Sequence, residues 1–259
     1  MKTRRKFFKN SALVGGALAL GALSLKAKQE RQDKNLDSEF WEFFKGFESD
    51  ISKLNTLNTH YTYAIKLSAL IACGGKESFK ELFSEALERG VKAEALKEVL
   101  YQSVAYVGFA KAYEFFNLSN EILRAKNVPL PLKKQSKTTR ANRYDEGLKL
   151  QIAIFGDVII QGNENTPADM KHFRRFLSEN CFGDYYTRAG LDLKLRELIT
   201  FVFLAALGGC EAQLEAHTSG NLKVGNDRSV LIATLTQLCP LLGYPRTLNA
   251  LNIVGKLSK

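Results

Sequence analysis

His217 is the histidine whose surroundings could do chemistry. Gln213 lies four residues before it and Cys210 seven before it, so in a helix all three share one face. Glu197, beside Arg196, precedes His217 by twenty residues, with Gly208-Gly209 between them. At 1.5 Å per residue, Glu197 lies about 16 Å before that turn and His217 about 12 Å after it. If the two helices fold back antiparallel, carboxylate and imidazole come within about one turn of each other and can meet in the groove. Such a pair is an acid/base unit, because the carboxylate fixes the imidazole tautomer and leaves the other ring nitrogen to move a proton. The same residues also suit a merely hydrogen-bonded helix histidine. His60 at a helix start, and His172 between Lys171 and Phe173 on a solvated face, read as structural.

The four cysteines, Cys73, Cys181, Cys210 and Cys239, form no C-x-x-C pair and match no zinc spacing. No metal and no cofactor is expected. Cys210 reads first as an ordinary thiol that behaves as a small hydrophobe.

The elements that must hold these groups read as helices. Leu82, Phe83, Ala86 and Leu87 make an apolar stripe that stops at Gly90. Leu96, Val99, Leu100, Val104 and Val107 make another that stops at Gly108. Further on, Leu195, Leu198, Ile199 and Phe203 lead to the Gly208-Gly209 break, and a helix follows from about Glu211 to Val224. Asn226 or Asp227 can cap the next helix, and Pro245 suits the first position of a last one. Thr166-Pro167 predicts a helix running through Phe176. No strand pattern appears, so the fold class is all-α.

An internal repeat emerges at an offset of 135 residues. It pairs Gly74 with Gly209, Gly90 with Gly225, Gln102 with Gln237, Gly108 with Gly243 and Asn117 with Asn252, without a gap. This predicts a duplication: a first domain over 37–126, a linker over 127–142 and a second domain over 143–259. The linker, NVPLPLKKQSKTTRAN, has two prolines and few apolar residues after Leu132 and reads as exposed.

Composition bounds the rest. Of 259 residues, 45% are hydrophobic and 25% charged, enough for packed cores and against a disordered chain. The net charge of +10 is uneven. Residues 1–27 carry six basic side chains and no acid, leaving a mild excess that argues against a nucleic-acid partner. There Arg4-Arg5-Lys6-Phe7-Phe8-Lys9 precedes the apolar SALVGGALALGALSL, which resembles a twin-arginine export signal. The run is shorter than the ~20 residues a membrane-spanning helix needs. A periplasmic location without a permanent membrane anchor is the expectation.

The stretch Gly190–Val254, with LDLKLRELITFVFLAALGG, EAQLEAH and LGYPRTLNALNIV, resembles the carboxymuconolactone decarboxylase family, which shares the alkylhydroperoxidase D fold. The upstream FGDYYTRAGLDL is similar to the segment leading into that domain. ELFSEALERGV and VLYQSVAYVGFAKAYEFFNL match more loosely, so the resemblance implies two tandem alkylhydroperoxidase D-like helical domains. It further implies Glu197 and His217 as acid/base residues and a homo-oligomeric ring, here a trimer of tandem chains. Arg188 and Arg196 would anchor a substrate carboxylate, with Gln213 also contacting substrate. The expected activity is a cofactor-free decarboxylase acting on a small lactone or keto acid.

Two departures keep other functions open. The peroxidase branch uses C-x-x-C, and here the second cysteine is Gln213, so Cys210 would have to act alone or with another cysteine such as Cys239. In the first domain Tyr61, Thr62 or Tyr63 stands where Glu197 would be, and Leu82 where His217 would be. That half reads as catalytically silent, which also admits a non-catalytic ring that binds a ligand or partner.

Overall fold

Helix α8 (Leu193–Leu207) is the axis of the unit formed by residues 51–259, and its sequence explains why. Every residue from Leu195 to Ala206 is buried, so it is covered on all sides by other helices. Leu198, Ile199, Phe201, Val202 and Phe203 have no exposed surface, and each such side chain contributes about 1.5–3 kcal/mol of apolar burial. The helix starts where Asp192 accepts a hydrogen bond from the Leu195 amide at 2.8 Å. It stops at Gly208, whose φ of 69° lies in the left-handed region that glycine tolerates. A wholly buried helix can carry polar residues only if each finds partners, which makes Arg196, Glu197 and Thr200 the residues to follow.

The structure is a computed structural model that describes residues 36–258, and the export-signal expectation lies outside them. The described residues are helical with connecting turns, and no strand occurs among them, as the all-α reading expects. The chain divides into two units after Asp50. The first contains most of helix α1 (Ser38–Ser52), on which Trp41 makes edge contacts with Phe40 and Phe44 at 5.2 and 6.3 Å.

In the second unit come α2 (Thr59–Cys73), α3 (Lys76–Glu88) and the long α4 (Ala93–Ala125), kinked at Gly108. After a non-helical stretch follow α5 (Arg143–Phe155), α6 (Val158–Asn165), a 3-10 turn (Ala168–Met170) and α7 (Lys171–Phe176). A π-helix (Leu177–Tyr186) leads to α8, and then come α9 (Glu211–Val224), α10 (Arg228–Leu242) and α11 (Tyr244–Leu257). Asp227, not Asn226, caps α10 through the Val230 amide. Asn226 is buried instead, bonded to the Lys194 carbonyl and the Asn221 side chain.

Helices α2 and α4 pack on α8 from one part of the sequence, α9, α10 and α11 from the other, and all feed one apolar cluster. The order α2, α3, α4 matches α8, α9, α10 at the 135-residue spacing, and Gly108 (φ 78°, ψ 160°) has the backbone of Gly243 (φ 75°, ψ 166°). Residues 127–142 contain no fully buried side chain, although Val128, Leu130 and Leu132 lie against the core.

One expectation needs correcting. The coil opens just after Pro167 as a 3-10 turn and its α-helical part does end at Phe176, but Thr166 does not cap it and the coil does not stop there. Thr166 bonds back to the Gly162 carbonyl of α6, and after the 3-10 turn the chain coils on to Tyr186. Its last ten residues take π geometry because α5 crosses them at backbone distance. A Cβ on Gly183 would fall 2.0 Å from the Arg143 carbonyl oxygen, and one on Gly147 would fall 1.9 Å from that of Ser178. Two glycines, one per helix, permit this approach, and the wider π coil turns Cys181, Phe182 and Tyr186 inward.

Candidate functional site

Glu197 has no exposed surface, so its carboxylate oxygens need donors from the protein. They have two. His217 Nδ1 lies 2.9 Å from Oε2, and the Tyr186 hydroxyl donates to Oε1 at 2.7 Å. An ionised carboxylate can only accept, so this contact puts a proton on Nδ1 and leaves Nε2 as the nitrogen able to exchange one. The antiparallel return of α9 along α8 brings these groups together. The Asn221 amide locks that pairing by donating to the carbonyls of both Glu197 and His217, at 2.9 and 2.7 Å. Gly220 leaves room for the carboxylate, because a Cβ there would sit 2.7 Å from Oε2.

Behind the pair runs a buried hydroxyl chain. The Thr200 hydroxyl lies 2.6 Å from that of Tyr186 and 3.1 Å from that of Tyr106, and the Gln102 amide donates to it at 2.8 Å. Burial pushes the Tyr186 phenol well above its ordinary pKa, and the Glu197 carboxylate adds to the shift. Burial does the same to Tyr106, with Cys181 contributing next. Both phenols therefore stay protonated and act as donors. Tyr106 also stacks on Phe203 at 5.5 Å and meets the His217 ring edge-on at 6.3 Å.

His217 lines a cavity of about 570 Å³. Its walls are mostly apolar, from Phe155, Phe182, Ile159, Leu177, Leu204 and Leu207, with Gln151, Gln213, Cys181 and Cys210 among the polar groups. Phe155 holds the imidazole edge-on at 5.1 Å. The cation on the wall is Arg174, bonded through Nε to Asn163 at 2.9 Å and facing no carboxylate partner among the described residues.

The sequence-predicted residues separate into two groups. Glu197, His217, Gln213 and Cys210 come together at this cavity and its rim. Arg188 and Arg196, expected to anchor a substrate carboxylate, do not line this cavity. Arg196 is 1% exposed and donates to Glu98, Gln102 and the carbonyls of Arg188 and Ala189. Arg188 makes a forked contact with the same Glu98 at 2.9–3.1 Å. Both guanidinium groups are thus committed to a buried carboxylate carried by α4, 90 or more residues away in sequence.

All four cysteines are free thiols. Burial raises the Cys210 pKa, Glu211 raises it further, and Sγ points to the Leu204 carbonyl at 3.3 Å. Cys181, buried beside the Tyr106 hydroxyl, is pushed up to about 12. Neither environment favours a thiolate. No group of three or more His, Cys, Asp or Glu residues that could hold a metal occurs among the described residues.

Sequence reasoning missed Tyr186, Thr200, Tyr106 and Arg174. Tyr186 and Thr200 stood inside the quoted motifs FGDYYTRAGLDL and RELIT, where a lone hydroxyl does not stand out. Tyr106 had no local signal at all.

Residues 171–256, which carry both Glu197 and His217, match the carboxymuconolactone decarboxylase family. The chain is also similar to a 4-carboxymuconolactone decarboxylase of Acinetobacter baylyi (strain ATCC 33305 / BD413 / ADP1). The two are 25% identical over 118 residues, 45% of this chain and 87% of the relative. Tyr106, Gln102, Gln151 and Phe155 lie outside the family match, so part of the site is supplied from elsewhere in the chain.

Proposed function

We propose that the protein is a cofactor-free acid/base enzyme of the carboxymuconolactone decarboxylase type, acting on a small lactone or keto acid. The observation that carries this reading is the 2.9 Å contact between His217 Nδ1 and buried Glu197, with the imidazole on the wall of a cavity. When a β-keto acid loses CO2, the electrons of the broken C–C bond remain as an enolate. Nε2 first takes a proton from solvent; the imidazolium Nε2–H then hands it to that carbon and returns to neutral imidazole, while the Glu197 carboxylate holds the ring and stabilises the cationic form. Arg174, in place of Arg188 and Arg196, binds the substrate carboxylate, since a guanidinium fork matches it and no protein acid occupies this one.

The apolar walls and the raised thiol pKa values favour this reading over a peroxidase that uses Cys210. A duplicated origin, with a first set of helices that lacks the Glu–His pair, is supported by the matched helix order and glycine conformations. Export to the periplasm through the twin-arginine-like start, and closure of a ring from three chains, complete the proposal. No helix among the described residues is long and apolar enough to cross a membrane.

Steady-state decarboxylation of 4-carboxymuconolactone and simple β-keto acids tests the assignment. Glu197→Gln and His217→Ala are expected to fold and to lose turnover by a factor of ~10² or more, while Arg174→Gln raises KM with a smaller effect on kcat. Wild-type rates in both pair variants overturn the reading.

A further inference from the structure

Lys97 is 8% exposed, yet no carboxylate neutralises it among the described residues. Its ammonium donates to the neutral Ser119 hydroxyl and the Asn120 side-chain oxygen, both at 2.7 Å, and lies over the Phe116 ring at 4.8 Å. Three N–H groups and two acceptors leave one donor unused. The neighbouring acid cannot serve, because Glu98 is already shared by Arg188 and Arg196. Buried ammonium groups are normally paired, so an unpaired one lining a cleft calls for an outside anion.

The cleft is large enough to supply it. About 630 Å³ opens between α4 and residues 130–136, and Arg124, Lys133, Lys134 and Arg188 line it with Lys97. Two carboxylates, Glu94 and Glu98, face these five cations. Burial lowers the Lys97 pKa to about 8, and the like charge of Arg124 is the second cause. The floor is aromatic: Tyr101 and Phe116 meet edge-on at 5.1 Å, and the Arg188 guanidinium covers Tyr101 at 3.8 Å. Packing alone does not demand a lysine here, since the residue 135 positions on is Ile232, a plain aliphatic against the core.

We propose that this cleft is a second ligand site, separate from the Glu197–His217 cavity, which binds an oxyanion (a carboxylate or a phosphate ester) carried on an aromatic body. Lys97 and Arg124 hold the anionic head, while Tyr101 and Phe116 take the ring. The assignment does not depend on the decarboxylase reading, because the two sites share no residue.

Calorimetric titration of the full chain at pH 7 with phenyl phosphate, benzoate and inorganic phosphate tests it. One saturable site per chain is expected for phenyl phosphate or benzoate, and the tighter of the two identifies the head group. Arg124→Gln alters an exposed side chain and should weaken binding at least tenfold, as should Lys97→Met, whereas Arg174→Gln in the other cavity should not. Absence of binding, or binding that survives Arg124→Gln, overturns the proposal. Inorganic phosphate binding as tightly as phenyl phosphate overturns the aromatic part of it. If no probe binds and Arg124→Gln instead lowers the assembly mass in light scattering, the anion is an acidic side chain of a second copy, and the small-ligand site is rejected.

Discussion

At Glu197 the chemistry depends on hydrogen-bond supply. A carboxylate with no exposed surface is held by one imidazole and one phenol, so each donor matters more than it would in water. Tyr186→Phe keeps the ring and removes the donor to Oε1. The cost of leaving that oxygen unsatisfied is about 1–3 kcal/mol, read as a lower urea midpoint. Tyr186 positions the pair and does not line the cavity, so kcat should fall while KM changes little. A variant with wild-type stability and kcat would show that Glu197 does not need this donor.

At the scale of elements, the contact between α5 and the π-helix sets the far wall of the cavity. Gly147 and Gly183 let the two backbones touch, and the coil they permit presents Cys181 and Phe182 to the cavity and Tyr186 to Glu197. Gly183→Ala would place a methyl 2.0 Å from the Arg143 carbonyl oxygen, which backbone cannot accommodate without moving. Overpacking of this kind costs about 1–3 kcal/mol. The expected outcome is a loss of thermal stability together with reduced turnover, since the displaced coil carries Tyr186. Unchanged melting and activity would mean that the helices can separate freely.

Across the whole molecule, Lys97 links stability to pH. Its folded pKa of about 8 lies below its ordinary 10.5. The unfolded chain therefore binds more protons between those values, and folding stability rises with pH across that window. Below about pH 8 the cost of burying the ammonium is fully present. Relative to Lys97→Met, the wild type should gain up to about 3 kcal/mol between pH 8 and 10.5, by denaturant titration of both proteins. A difference that does not vary with pH would place the ammonium in a better solvated setting. Assembly belongs to this scale as well. Phe173 and Phe176 are 66% and 53% exposed, and Val158, on the cavity wall, is 60% exposed, apolar surface that ring closure would cover. Light scattering is expected to return three chains, and a strict monomer would refute the ring.

What the amino-acid order determines is what neighbours along the chain can settle. Apolar periodicity and the glycine stops placed α8, α9 and α10 closely. Twenty residues with one glycine turn brought Glu197 to His217, because helix rise and a tight reversal are local geometry. That residues 127–142 would be non-helical and unburied was legible from their prolines and polar residues. Partners distant in sequence were not legible. Arg188 and Arg196 looked free to meet a substrate until Glu98 on α4 took both, and Tyr106 entered the site from 94 residues before Thr200. The π coil after Phe176 was hidden for the same reason, since it answers to a backbone contact from α5 and not to its own composition. A charged or hydroxyl side chain has many possible partners in one sequence, and only tertiary packing, which buries some and exposes others, selects among them.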